Sequence, residues 1–480
     1  MKTLGELCTA GGISCPEELK KVPVFGITDR VQDVKFGFLF VALKGHRTDG
    51  LFLIRQAKEN GAVAVLTDRK TEKTTDLPIM LCKNAHFCST KMLLHYYGHP
   101  ERKLTLIGIT GTKGKTTAAF AVAGILSANG IPAATVGTAG IAFGEEVHPI
   151  GNTTPSAFLL IPELSRLCAR GCRAAAIEMS SLGLKDERLF GLPIPYAVLT
   201  AIGSDHLGDG GHPDFEDYLR SKQKLFTDYG VKTAAFLQNE PFADRLLSGV
   251  QNLLPVLVSD LPAASGPRPA HRTDGASDAF IPRSITPYGT WFGFRNHAYF
   301  LSLPGAFSLL DCALAVTLCS AAFGIPPEKC LPPLSHLSVP GRMETFVRDG
   351  VRYVIDFAHN AMSFTAVAGL CRKRTGRLIA VFGSVGGREF DRRHALCRSA
   401  EHLFDLSVLT EDDTGTEPLF SVLSDMIGSF SDKTKVKVVP DRAEAIRYAV
   451  SAAKRGDTVL LRGKGSENFQ IRAAGKNPVT

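Results

Sequence analysis

Long hydrophobic runs are missing from this 480-residue chain: no stretch of about eighteen apolar residues occurs, which argues against a membrane-spanning helix. The opening residues Met1-Lys2-Thr3-Leu4-Gly5-Glu6 lack the apolar core of a secretory signal. The eleven cysteines include no Cys-x-x-Cys pair, and their odd number argues against a disulfide framework. They read as buried thiols of a reducing cytoplasm. The net charge of +8 forms no basic stripe with interleaved aromatics, so nucleic acid is not the expected partner. What is present, 44% hydrophobic and 21% charged residues, is the balance of a folded globular protein. At this length one core does not suffice, and about two to four domains are expected.

Residues 1–100 alternate short apolar runs (Phe38–Leu43, Ala62–Leu66, Ile79–Cys82) with a helical pattern over Leu51–Glu59. From Leu104 to about 338 the strands Leu104–Ile109, Ala174–Ile177, Tyr196–Thr200 and Thr233–Leu237 are each followed by helical or loop material. That is the signature of a parallel sheet covered on both faces. Residues 259–285, rich in Pro, Gly, Ala and Ser, read as a surface excursion, and Leu309–Phe323 as an apolar helix. A Pro- and Gly-crowded span from Pro326 to Gly341 reads as a linker. Beyond it, strands at Tyr353–Phe357, Leu378–Phe382, Leu406–Leu409, Val436–Val439 and Thr458–Leu461 alternate with helices at Phe364–Arg374, Leu419–Phe430 and Ala443–Ala453. The predicted fold is therefore α/β in three domains: a small N-terminal α/β domain (1–100), a central parallel sheet (101–338) and a C-terminal Rossmann-like domain (339–480).

The chemistry concentrates after the strand Leu104–Ile109, where Gly111-Thr112-Lys113-Gly114-Lys115-Thr116-Thr117 leads into a helix. Glycines allow the backbone to wrap a phosphate, and main-chain N–H groups with the helix N-terminus would cradle it. Lys115 would reach the β- and γ-phosphates and the Thr116 hydroxyl would meet Mg²⁺. The spacing is shorter than G-x-x-x-x-G-K-[ST] when counted from Gly111, and Gly108 restores a near match. ATP is the expected nucleotide; a glycine-rich turn before an ordinary helix is the plain alternative. Glu178, at the end of its strand, faces the same crevice and offers the oxygen donor that Mg²⁺ prefers, or else serves as a helix-capping anion. Asp205-His206 follow the next strand similarly.

With Glu178-Met179-Ser180-Ser181, Asp205-His206 and Asp214 to Lys222 added to the glycine loop, the chain resembles the Mur ligases. Gly341-Arg342-Met343-Glu344, Asp356-Phe357-Ala358-His359-Asn360, Gly383-Ser384-Val385-Gly386-Gly387-Arg388 and Gly463-Lys464-Gly465 extend the resemblance nearly to the C-terminus. It is most similar to the MurE branch, which adds the third amino acid to UDP-MurNAc-L-Ala-D-Glu. The resemblance implies an acyl phosphate made from ATP and a substrate carboxylate, then displacement of phosphate by an amine. It implies one Mg²⁺ held by Thr116 and Glu178 and a second held with the help of His206 and a carbamylated Lys222, the last of which, without the family, reads as a solvated helix lysine. Nucleotide contacts fall on Gly111 to Thr117, including Lys113, and on Arg342, Asp356 and His359. Substrate contacts fall on Thr153, Thr154, Ser180, Arg188, Asp412, Asp413, Gly463 and Glu467. Small-molecule substrates, no membrane and a monomeric state complete the expectation.

Departures are confined to particular places. Arg30-Val31-Gln32 stands where the family has Asp-Ser-Arg for uridine, and Val31 offers no hydroxyl. An expected asparagine pair reads Ser308 and Asp311, and an expected asparagine before Ile202 is Ala201. Diaminopimelate-adding members carry Asp-Asn-Pro-Arg, whose arginine grips the distal carboxylate; here the stretch is Asp412-Asp413-Thr414-Gly415. Two adjacent carboxylates suit a distal ammonium, as in L-lysine or L-ornithine, or form a solvated turn with an Asp cap. A paralogue acting on a different acid, and a non-catalytic nucleotide-binding subunit, stand as the alternative functions.

Overall fold

The computed structural model describes residues 2–45, 48–70, 76–203, 211–259, 278–357, 361–372, 376–387, 390–465, 469–473 and 475–478. Three parallel-dominated sheets follow one another along the chain. The first has four parallel strands, Gly26–Thr28, Phe38–Val41, Ala62–Thr67 and Ile79–Leu81, with the helix Ile54–Glu59 between the second and third.

The central sheet is eight-stranded. Its middle strand Thr105–Thr110 is flanked in parallel by Ala174–Glu178 on one side and Tyr196–Leu199 on the other. Ala133–Gly137, Thr233–Leu237 and Asn252–Val256 continue the parallel set outward. Apart from the edge strand Asn252–Val256, these strands are Ala-, Val-, Ile- and Leu-rich and buried on both faces, as helices on each side demand. Chain order reverses at Thr105–Thr110, so the crevice beyond its C-terminal end is where a ligand fits. The helix Lys115–Ala128 leaves that crevice and packs against the apolar helix Ala306–Phe323, which is therefore a core helix. Alanines on Lys115–Ala128 keep that packing close.

The third sheet runs Glu344–Arg348, Val351–Asp356, Thr458–Arg462, Leu378–Phe382, Leu406–Leu409, Val436–Val438, all parallel except the first. Its five parallel strands and the helices Leu419–Gly428 and Arg442–Ala452 fall where the periodicity predicts them, whereas the antiparallel edge strand Glu344–Arg348 was not expected.

Two expectations need correction. Residues 281–285 belong to a strand, Ile281–Thr286, of a three-stranded antiparallel sheet completed by Gly289–Phe294 and His297–Leu301. Residues 260–277 lie outside the described residues. The Pro-rich span is no loose linker: Pro327–Cys330 and Pro332–His336 are short helices, prolines being well placed in a first turn, and Cys330, Leu331 and Leu334 enter the core. All eleven cysteines are free thiols.

Candidate functional site

The phosphate-binding turn is shaped by side chains from neighbouring strands. At Gly111, φ is +149° and a Cβ would lie 1.8 Å from Thr200 Oγ1. At Gly114, φ is +90° and a Cβ would lie 2.0 Å from Asp311 Oδ1. Both positions therefore require glycine. Thr200 Oγ1 donates to Lys113 O at 2.6 Å, fixing the turn against the adjacent strand. No side chain caps the helix that begins at Lys115, so its first N–H groups are left for an anion. Lys115 folds back over the turn, donating to Gly111 O at 3.0 Å and Thr112 O at 3.2 Å. Thr116 and Thr117 are buried at the helix start.

Glu178 is buried at the end of its strand and accepts from Thr138 N at 3.0 Å and from Thr138 Oγ1 at 3.2 Å. The capping alternative fails, because Ser180 caps the helix Ser181–Lys185. Thr138 Oγ1 lies 3.1 Å from Thr153 Oγ1. Thr154 Oγ1 donates to Glu178 O at 2.8 Å, and Arg188 Nη1 donates to Thr154 O at 3.0 Å. Thr153, Thr154, Ser180 and Arg188 thus form one wall beside Glu178; the second guanidinium arm of Arg188 pairs with Asp186 at 2.9 Å.

Lys222 is only 1% exposed, so it is not a solvated helix lysine. Its Nζ donates to Gly111 O at 2.7 Å and sits 4.6 Å from the Tyr218 ring centroid. Tyr218 and Lys222, four residues apart on the helix Phe215–Asp228, face the turn together. The Tyr218 hydroxyl lies 2.6 Å from Thr112 Oγ1.

His212 is a residue that the sequence reading missed. It is fully buried, its Nδ1 is 2.7 Å from Asp217 Oδ2, and its ring meets Tyr218 edge-on at 5.3 Å. Lys185 Nζ donates to the same Asp217 oxygen at 2.8 Å. That ion pair, with the His212 bond, holds the Asp217 carboxyl below its ordinary range. The available signal was a histidine two residues before Asp214, the cap of the Tyr218 helix.

Asp311 faces the same turn from the helix Ala306–Phe323. Burial pushes its carboxyl up to about 8, against the opposing pull of Lys115. Ser308 instead donates to Pro304 O, just before its own helix, at 3.0 Å.

From the third sheet, Arg342 reaches the turn: its Nη2 is 3.4 Å from Thr116 Oγ1, and its guanidinium stacks 4.3 Å over Phe357. Asp356 accepts from Met343 N at 3.0 Å, so it shapes the backbone beside Arg342. Behind it the buried Arg462 lies 3.7 Å from the Phe364 ring centroid, and burial lowers its guanidinium to about 10 despite the Asp356 charge.

The expectation that Asp412 and Asp413 form an open anionic patch or a solvated turn is corrected. Lys464, itself buried, pairs with Asp413 Oδ1 at 2.5 Å and lies 3.7 Å from Asp412 Oδ1. Asp412 is buried, and a Cβ on Gly463 would fall 2.5 Å from its Oδ2. One lysine thus offsets part of the charge of the two carboxylates within the chain. Val31 packs in the first domain's core with Val34 and Phe40, which accounts for a valine there. His206, His359 and Glu467 lie outside the described residues, as does Arg388.

The arrangement is a nucleotide crevice whose wall carries carboxylate, hydroxyl and lysine groups, faced by an arginine from a second Rossmann-like unit. Residues 109–258 match the Mur ligase middle domain, and residues 341–465 match the Mur ligase, glutamate ligase domain. The chain belongs to the Mur ligase family, a family of acid–amino-acid ligases. It is 32% identical to the UDP-N-acetylmuramoyl-L-alanyl-D-glutamate--2,6-diaminopimelate ligase of Aquifex aeolicus, over 94% of this chain and 90% of that one. The ligase of the same name from Coxiella burnetii is also 32% identical, over 91% and 90%. A solved structure of a ligase with that name superimposes with a TM-score of 0.66 at 24% identity, covering 99% and 96% of the two chains. MurF ligase from Thermotoga maritima, solved with ADP, gives 0.61 at 21% identity, covering 92% and 94%. These likenesses bear out the three-unit α/β fold and the ligase class.

Proposed function

We propose that this protein uses ATP to join a diamino acid to the D-glutamate carboxylate of UDP-MurNAc-L-Ala-D-Glu, as a cytoplasmic step of cell-wall precursor synthesis. The observation that carries the reading is the convergence on one turn: Lys115 Nζ and Lys222 Nζ both donate to Gly111 O, with the Glu178 wall alongside. Lys115 donates to main-chain carbonyls of the turn, and an arriving polyphosphate would give it a stronger, charge-assisted acceptor.

In this reading the chain divides near residues 100 and 338. Gly111 to Thr117 wrap the phosphates, with Lys113 and Lys115 supplying charge and Arg342 and Asp356, together with His359, completing the nucleotide side. The carboxylate attacks the γ-phosphate of ATP, forming an acyl phosphate and releasing ADP. The incoming amine adds to the acyl carbon, and phosphate leaves with its bonding electrons. Negative charge gathers in both steps, so fixed cations and donors provide the acceleration. Thr153, Thr154, Ser180 and Arg188 line the muramoyl-peptide side, and Glu467 and Gly463 the amino-acid side.

The donor set at the crevice fits Mg²⁺: Thr116 Oγ1 and the Glu178 carboxylate are hard oxygen ligands, and the Gly137 position leaves room that a Cβ, 2.1 Å from Glu178 Oε1, would fill. His206 and Lys222 as a carbamate would help hold a second Mg²⁺. Bound there, Mg²⁺ supplies charge neutralisation for the transferring phosphoryl group. Carbamylation would also exchange the buried Lys222 ammonium for an anion. Lys222→Ala is expected to abolish turnover, with short carboxylates such as acetate restoring part of it; normal activity in that variant refutes the carbamate role.

Phosphate release with UDP-MurNAc-L-Ala-D-Glu and a panel of diamino acids tests the whole reading. Turnover with one of them supports it. Turnover only with other acids supports a paralogue of different substrate, and nucleotide binding without turnover supports a non-catalytic subunit.

A further inference from the structure

The stretch Asp412-Asp413-Thr414-Gly415 lacks an arginine, yet the fold brings one to the same place from elsewhere. The C-terminal hairpin Phe469–Arg472 with Gly475–Pro478 docks directly on this stretch. Ile471 N donates to Asp413 Oδ1 at 2.8 Å, and Gly415 N donates to Ile471 O at 3.0 Å. Gly415 and Arg472 form a bridge, which fixes the Arg472 side chain beside the missing one. The two share a cleft of about 460 Å³ with Glu411, Glu417 and Asp441. A Cβ on Gly415 would meet nothing within 4 Å, so the space above it is open.

The charges around this cleft are unequally committed. Glu417 is held by the buried Arg393 and by Gly387 N, and Asp441 caps the helix Arg442–Ala452. Arg472 alone among the described lining residues is a cation. Its Nη2 donates to both oxygens of the buried Glu411 at 2.7 Å, and its side chain stays 48% exposed. One edge is therefore anchored, while Nε and Nη1 make no hydrogen bond to the described residues. A guanidinium has five donors, and Nε–H and Nη1–H, on either side of the anchored Nη2, can each donate to a further carboxylate.

We infer that Arg472 replaces the missing arginine as the specificity-determining group, binding the distal carboxylate of an incoming amino acid of the diaminopimelate type. The inference rests on the ligase reading above. An amino acid whose far end carries ammonium and carboxylate together finds Glu411 and Arg472 side by side. A lysine side chain, with ammonium alone, would face the guanidinium uncompensated.

The test is steady-state phosphate release with UDP-MurNAc-L-Ala-D-Glu and either meso-diaminopimelate or L-lysine, for wild type, Arg472→Gln and Arg472→Lys. Hydroxylamine trapping of the acyl phosphate, which requires no amino acid, reports folding and the first half-reaction in each protein. Wild type is expected to prefer diaminopimelate. Arg472→Gln should raise its KM by about 10- to 100-fold, the loss of charge-assisted hydrogen bonds, and shift preference toward lysine. Arg472→Lys should recover only part of it, an ammonium being no planar fork. Equal KM for diaminopimelate in wild type and Arg472→Gln, or a wild-type preference for lysine, overturns the assignment of Arg472. A wild-type protein that yields no hydroxamate overturns the ligase reading itself, and this inference with it.

Discussion

The central crevice and the C-terminal cleft hold their charges in opposite ways. In the crevice, Lys115 and Lys222 donate hydrogen bonds to main-chain carbonyls of the glycine turn. In the C-terminal unit, Arg393 sits between Glu417 and Asp425, Lys464 between Asp412 and Asp413, and Arg472 on Glu411. A site that must attract a polyphosphate keeps cations on partners that an anion can displace. In the proposed amino-acid site most charges are paired within a rigid wall, and the Nε and Nη1 donors of Arg472 are left to read the substrate. Charge seen in sequence is thus not charge available to a ligand; the partner decides.

The largest expected effect breaks the rigid side of that contrast. Arg393, whose side chain is 1% exposed, holds two carboxylates, and Arg393→Met should destabilise the C-terminal unit by about 3–5 kcal/mol in urea unfolding. A loss below about 1 kcal/mol would place the pair among weak surface bridges. On the other side, Lys115→Ala should leave the fold intact, because its hydrogen bonds to Gly111 O and Thr112 O lie within its own turn. Turnover should fall about 10²- to 10³-fold, as for removal of a single donor to developing charge. An unfolded variant would show instead that the lysine is a structural strut.

Asp311 gives a pH-dependent contrast. Its carboxyl is pushed up to about 8 in the folded protein from an ordinary 3.8, so the folded state binds the extra proton. Its stabilising contribution is complete below about pH 4 and drains away as pH rises toward 8. Asp311→Asn abolishes that drain. Its melting temperature relative to wild type should climb between pH 5 and pH 8 and then level off, a constant difference excluding the raised pKa. The smallest effect is expected for Tyr218→Phe, which removes one hydroxyl contact to Thr112. It should weaken binding of a non-hydrolysable ATP analogue by about 1 kcal/mol; Thr112→Val in the same background also removes the two hydrogen bonds to the Gly203 backbone and should weaken binding further.

Much of the fold was legible because strands buried on both faces read as plain apolar runs, and Thr105–Thr110, Leu378–Phe382 and Leu406–Leu409 are of that kind. The three-stranded sheet at 281–301 was not, because its strands are partly exposed and stand beside a Pro- and Gly-rich segment. Gly111 to Thr117 could be read from spacing alone, since local backbone chemistry defines the turn. The Arg472–Gly415 pairing could not: 57 residues separate partners that only the docked hairpin brings together, and their register is set by Asp413 Oδ1 and one main-chain bond. His212 and Asp217 were equally silent, because a buried histidine declares itself only through the tyrosine it braces.

The account stands most directly on the fate of one oxygen atom. With the D-glutamate carboxylate labelled with ¹⁸O, acyl transfer through a phosphorylated carboxylate predicts that each released phosphate carries one labelled oxygen. Unlabelled phosphate released in step with amide formation would contradict it.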